Sequence, residues 1–131
     1  MPDADWTQAY DVDDNTVVGI SYHNSVGHPL GFSYDGIDWT FIDPPGLEYS
    51  SCAYGVSGDK IVGYHRDKWG THGFLLDGDE WINLDVPGAD ATHARGIDRY
   101  NINSVQYSKI VGRYWVKSTD KYYGFLYDRE N

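Results

Sequence analysis

Short apolar and aromatic runs recur along this chain, broken at close intervals by polar turn formers. "KIVGYHRD" (Lys60–Asp67), "THGFLLD" (Thr71–Asp77) and "KIVGRYWV" (Lys109–Val116) are such runs. The breaks read "VDDN" at 12–15, "DPPG" at 43–46, "SGDK" at 57–60 and "DGDE" at 77–80. Runs of about four to eight residues bounded by Gly, Pro, Asn and Asp predict strands joined by tight turns. No window carries the 3.6-residue period of an amphipathic helix. The pattern predicts an all-β chain.

The runs return in a fixed order. Gly31-Phe32, Gly73-Phe74 and Gly124-Phe125 each have an Asp three residues later, at Asp35, Asp77 and Asp128. Upstream stand Val18-Gly19, Val62-Gly63 and Val111-Gly112. Trp39 and Trp81 follow in two copies, then Pro45-Gly46 and Pro87-Gly88. An Ala-x-x-hydrophobic step opens each copy: Ala9 to Val12, Ala53 to Val56, Ala94 to Ile97. Phe32 and Phe74 lie 42 residues apart, and "DRYNINSVQYS" lengthens the next interval to 51. Periods of this size mark stacked supersecondary units. Each unit reads as four short strands, in a single repeat domain with units at about 7–46, 47–88 and 89–131. The third unit lacks its Trp strand, so the count is 11 strands.

Composition narrows the function classes. Tyr (12), Trp (5) and Gly (15) suit strands and tight turns rather than helices. The formal net charge is −10, a poor footprint for nucleic acid or anionic lipid, both of which attract Lys and Arg. Neither partner is expected. Cys52 stands alone, so no intrachain disulfide marks an oxidising compartment. No apolar run is long enough to span a bilayer as a helix. The acidic start "MPDADWTQ" does not read as a signal peptide, and the compartment stays open.

"THGFLLDGDEWINLDVPGADATHARGID", followed later by "KIVG", resembles the bacterial HAF repeat, a family described as an extracellular repeat. The resemblance runs from Ala9 onward and is closest in the middle unit. Leu30, Asp11 and the absent last strand depart from its pattern. It implies a four-stranded, propeller-like unit and hints at an extracellular location. It implies no activity.

Four-stranded units of this length build β-propeller blades, and closed propellers use roughly 4–8 of them. Three blades do not close a ring. Two chains would, as a six-bladed homodimer. The β-trefoil, also three four-stranded units, is the alternative. In a meander, the first and third turns share one end and the second turn takes the other. The first end then collects ten of the 20 acidic residues, among them Asp13, Asp35, Asp59 and Asp77. The second collects His23, His28, His65, Arg66, Trp69, His72, Trp115 and Lys117, with Tyr64 close by.

Those nine residues are the candidate ligand site. An aromatic ring covers the apolar face of a sugar while polar groups take its hydroxyls. His65 and His72, and likewise His23 and His28, share parity across a hairpin, which suits a shared metal or a pH-sensitive rim. No third ligand repeats with them, so no metal or other cofactor is expected. "DVDDN" opens like a calcium loop but lacks the Gly and Glu that finish one. Asp35, Asp77 and Asp128 read as turn starters, and Trp39 and Trp81 as packing residues. Cys52 has Gln8 and His93 at its matching positions and no base in its neighbourhood of the sequence. No phosphate loop, nucleophile elbow or zinc motif is present, and no catalytic residue is nominated. The expectation is a non-catalytic, lectin-like module for a glycan or another small polar ligand. A protein-interaction scaffold is the first alternative, and an enzyme with a site between blades or subunits the second.

Overall fold

A computed structural model describes residues 1–44 and 49–131. Among them it forms eleven strands and no helix: β1 (Trp6–Asp13), β2 (Thr16–Tyr22), β3 (Pro29–Tyr34), β4 (Trp39–Ile42), β5 (Ser51–Ser57), β6 (Lys60–Asp67), β7 (Gly70–Asp77), β8 (Glu80–Asn83), β9 (Ala91–Ile102), β10 (Val105–Val116) and β11 (Lys121–Glu130). The all-β expectation holds. The Pro45-Gly46 connection, and with it the border between the first two units, lies outside the described residues.

Antiparallel pairing of sequence neighbours gives three meanders, β1–β4, β5–β8 and β9–β11. The second and third join through one parallel pair, Thr71 beside Ala91, into a seven-stranded sheet. The extra residues at 98–108 lengthen β9 and β10 to 12 residues each. They add no element; they extend a hairpin whose turn sits at Asn103 and Ser104, both at positive φ.

One irregularity recurs at the same place. The register of β1 slips one residue at Tyr10, that of β5 at Tyr54 and that of β9 at Arg95. In each case the preceding alanine pairs with a glycine of the next strand: Ala9 with Gly19, Ala53 with Gly63, Ala94 with Gly112. A β-bulge of this kind bends its strand and turns the extra side chain out of the ladder. The glycines are required by close approach. A Cβ at Gly19, Gly63 or Gly112 would run into the carbonyl oxygen of Gln8, Cys52 or His93. The Val-Gly anchor of the sequence marks the strand that a bulge presses against.

The core lies between meanders. β5 packs on β1, β2 and β3; β9 packs on β5, β6 and β7. Val18 and Ile42 of the first meander meet Ala53, Val56, Ile61 and Phe74 of the second. Val62, Leu75 and Leu84 of the second meet Ala94 and Ile110 of the third, with Ile97 and Phe125 alongside. Side chains cross the first of these seams. The Asp11 carboxylate accepts the Val56 N–H at 3.0 Å and that of Asp13 the Gly58 N–H at 2.6 Å. Ser51 Oγ accepts the Gly31 N–H and donates to the Ile42 carbonyl. Asp11 thus ties one meander to the next.

Candidate ligand-binding site

The middle turns, β2–β3, β6–β7 and β10–β11, are the second turns of their meanders and lie in or beside the stretches that hold the candidate residues. At the opposite end the Lys60 ammonium bridges Asp59 and Asp77 at 3.0 and 3.1 Å, tying a first turn to a third turn. Asp35 starts its turn as expected, accepting from the Ile37 and Asp38 N–H groups. Asp77 and Asp128 do other work: Asp77 in the Lys60 bridge, Asp128 accepting from the Tyr100 hydroxyl at 2.6 Å.

His65 and His72 face each other in register, with ring centroids 5.2 Å apart. They are not a free pair. His72 Nδ1 lies 2.6 Å from Asp85 and Nε2 3.0 Å from Asp67. Burial by itself would lower the His72 pKa, but the hydrogen bonds to Asp85 and Asp67 outweigh it and raise it. Burial, aided by the neighbouring His72, lowers that of His65. This hairpin is a clamp between two carboxylates. Asp67 also caps the turn, accepting from the Trp69 and Gly70 N–H groups.

His23 and His28 stand one step beyond the last ladder pair, Tyr22 with Pro29. β2 ends at Tyr22 and β3 begins at Pro29, so both fall in the intervening loop. His23 is buried against Phe41 with Nδ1 3.1 Å from the Asp3 carbonyl. Trp69 is 79% exposed at its hairpin tip under Lys68, away from the other rings. Trp115 is half-buried opposite Ala91 and Tyr122, and the Lys117 N–H is held by Asp90 at 2.7 Å. Among the described residues no three His, Cys, Asp or Glu side chains are arranged to hold a metal ion.

Tyr64 and Arg66 open onto a different cluster. Tyr64 stacks on His93 of β9 with centroids 4.8 Å apart. Tyr54 lies 5.6 Å from Tyr64, and Tyr10 lies 5.2 Å from Tyr54. The Arg95 guanidinium sits 4.4 Å above the Tyr54 ring, and that of Arg113 4.2 Å above Tyr122. The three bulge residues Tyr10, Tyr54 and Arg95 therefore form one ladder across the three inner strands. Arg113 is the register partner of His93. Burial first, then Arg113, Arg95 and Arg66, pushes the His93 pKa down to about 4, so the imidazole is neutral at pH 7. Arg66, Arg95 and Arg113 make no ion pair among the described residues. His93 Nδ1 and Arg113 Nε are buried without a hydrogen-bond partner. Cys52 lies under this cluster, where burial drives its thiol up to about 12. It stays protonated and is no nucleophile.

The seam cluster of Tyr54, His93, Arg95 and Arg113 was not among the sequence candidates. One signal pointed there: the Ala-x-x-hydrophobic step is the bulge, and the residue after its alanine is Tyr10, Tyr54 or Arg95. No family model, curated protein or solved structure matches the chain. The geometry of the chain itself carries the functional argument.

Proposed function

We propose that this chain is a non-catalytic binding module for an acidic glycan, held at the Tyr54–Tyr64–His93 stack by Arg66, Arg95 and Arg113. One observation carries the reading: Arg113 pairs in register with His93, Arg95 lies over the neighbouring Tyr54 ring, and neither these nor Arg66 makes an ion pair among the described residues. An aromatic stack offers an apolar surface to a sugar ring, and an arginine fork takes a carboxylate or sulfate in two hydrogen bonds. A ligand group that reaches His93 Nδ1 satisfies a buried nitrogen that has no hydrogen-bond partner among the described residues.

The architecture we infer is propeller-like, with the three meanders as copies of one blade. The recurring bulge, the recurring seam and the consecutive antiparallel pairing within each meander support it over a trefoil. The resemblance to the HAF repeat belongs to the same reading.

Titration of tyrosine and tryptophan fluorescence with matched acidic and neutral oligosaccharides tests the function. Acidic sugars bind, neutral ones bind at least about tenfold more weakly, and Arg66→Ala weakens the acidic set by about tenfold. Arg66→Lys keeps part of the affinity. A glycan panel that stays blank, or one bound equally by Arg66→Ala, sinks the proposal.

A further inference from the structure

We propose that a second copy of this chain seats its first meander on the open face of the third, and that two such seams close a ring of two chains. The inference rests on the repeat reading above and names the partner that reading needs.

The two seams inside the chain show what the outer faces lack. Val18 pairs beside the bulge of β1, Val62 beside that of β5 and Val111 beside that of β9. Val18 and Val62 are 0% exposed; Val111 is 48% exposed. Leu75 pairs with Val62 and Leu126 with Val111, yet Leu75 is 0% exposed and Leu126 62%. At the other end Val12 holds the place of Val56, two residues past the bulge. Val56 is 3% exposed and Val12 61%. Ala9, Val12 and Val17 line an open groove of about 380 Å³ along β1. One end of the molecule thus presents the valine–leucine half of a seam, and the other end the alanine–valine half. The chain builds the valine-to-alanine part of this contact twice within itself, there together with Ile42 or Leu84, whose place after β11 is empty among the described residues.

Charge selects the same pairing. Residues 1–46 hold eight aspartates and no lysine or arginine. Residues 89–131 hold seven lysines and arginines against five acids. First meander against third is attractive, whereas first against first sets acid against acid. The contact is head-to-tail, so it closes only if the rotation allows. Six units, two of them three-stranded, lie within the usual number for a closed ring, and three do not.

The joint also reaches the ligand cluster. Tyr64 stacks on His93 at the inner seam, and Arg113 holds the place of Tyr64 at the open one. The residue at the place of His93 is Gln8 of the second copy, whose amide would face the unpartnered Arg113 Nε.

Light scattering behind a sizing column at tens of micromolar tests this. The expected mass is twice the 14.9 kDa of one chain. A mass of 14.9 kDa, as when other repeats rather than a second copy cover these faces, overturns the proposal; so do larger assemblies or filaments. Val12→Asp and Val111→Asp each disable one half of every seam, and each alone weakens association at least about 100-fold. Their equimolar mixture regains dimers, because one seam in the pair joins two intact halves. Val12→Asp dimerising like the parent would overturn the head-to-tail geometry. Ile37→Asp, in the β3–β4 turn, keeps the dimer. Should Val111→Asp fail to fold by circular dichroism, Leu126→Glu replaces it. A dimer that binds no acidic sugar removes only the functional reading; a monomer that binds it removes only this one.

Discussion

Val62 and Val111 are the same residue in the same local setting with opposite fates. Each pairs opposite a residue next to a bulge, and each is followed by a glycine pressed on that bulge. Val62 is sealed between the second and third meanders; Val111 is half open to solvent. Local sequence therefore does not decide burial in a chain built from stacked meanders. The presence of a next meander does. The same contrast separates Trp81 from Trp39. Trp81 packs against the first seam and Phe74, while Trp39 rests on Tyr34 at 4.2 Å and stays 37% exposed.

The largest effect expected is Val62→Asp, which puts an unpaired carboxylate into an apolar seam and costs about 4 kcal/mol or more. Val111→Asp leaves the unfolding free energy of the isolated chain within about 0.5 kcal/mol. Urea melts at a dilution where single chains prevail compare the two; equal losses would erase the distinction between sealed and open seams.

Next in size is a pair of glycines. Gly63→Ala drives a methyl into the Cys52 carbonyl and costs about 2–4 kcal/mol. Gly124, on β11, has nothing nearer than 3.9 Å to an added Cβ, so Gly124→Ala changes stability by no more than about 0.5 kcal/mol. Matching melting temperatures would mean that the bulge relaxes.

The histidines break the comparison in a third way, through the sign of their pH dependence. His93 has its folded pKa lowered to about 4, so its contribution is present above the unfolded value of 6.5 and is lost as pH falls from there towards 4. Partial exposure discounts that contribution to about 2 kcal/mol. His93→Gln flattens this acid limb. His72 has its folded pKa raised, so its clamp contributes fully below 6.5 and fades as pH rises through the folded value. Partial screening holds that term to about 1 kcal/mol or less, and His72→Gln removes the slope. Denaturant midpoints from pH 4 to 9 separate the two limbs. A single limb, or two of the same sign, would contradict the assigned environments.

Much of this molecule was legible in its sequence. The Val-Gly and Gly-Phe anchors and the turn formers gave eleven strands in the right order, because tight turns and strand alternation are local properties. His65 and His72 were placed opposite each other for the same reason. His23 and His28 lie one step past the last pair of β2 and β3, so a loop rather than the ladder sets their surroundings. The ligand candidates split because burial and partners are not local. Asp67 and Asp85 claim His72, and the exposed Trp69 stands by itself.

The sequence by itself determined the strands and their turns, since alternation within a strand and turn chemistry are local properties. Only the tertiary structure decided that Tyr10, Tyr54 and Arg95 form one ladder and that Arg95 and Arg113 lie beside the Tyr54–His93 pair. It alone separated the sealed Val62 from the open Val111. Those facts depend on one meander stacking on another, and stacking brings together residues some 30 to 45 positions apart that no single strand's pattern connects.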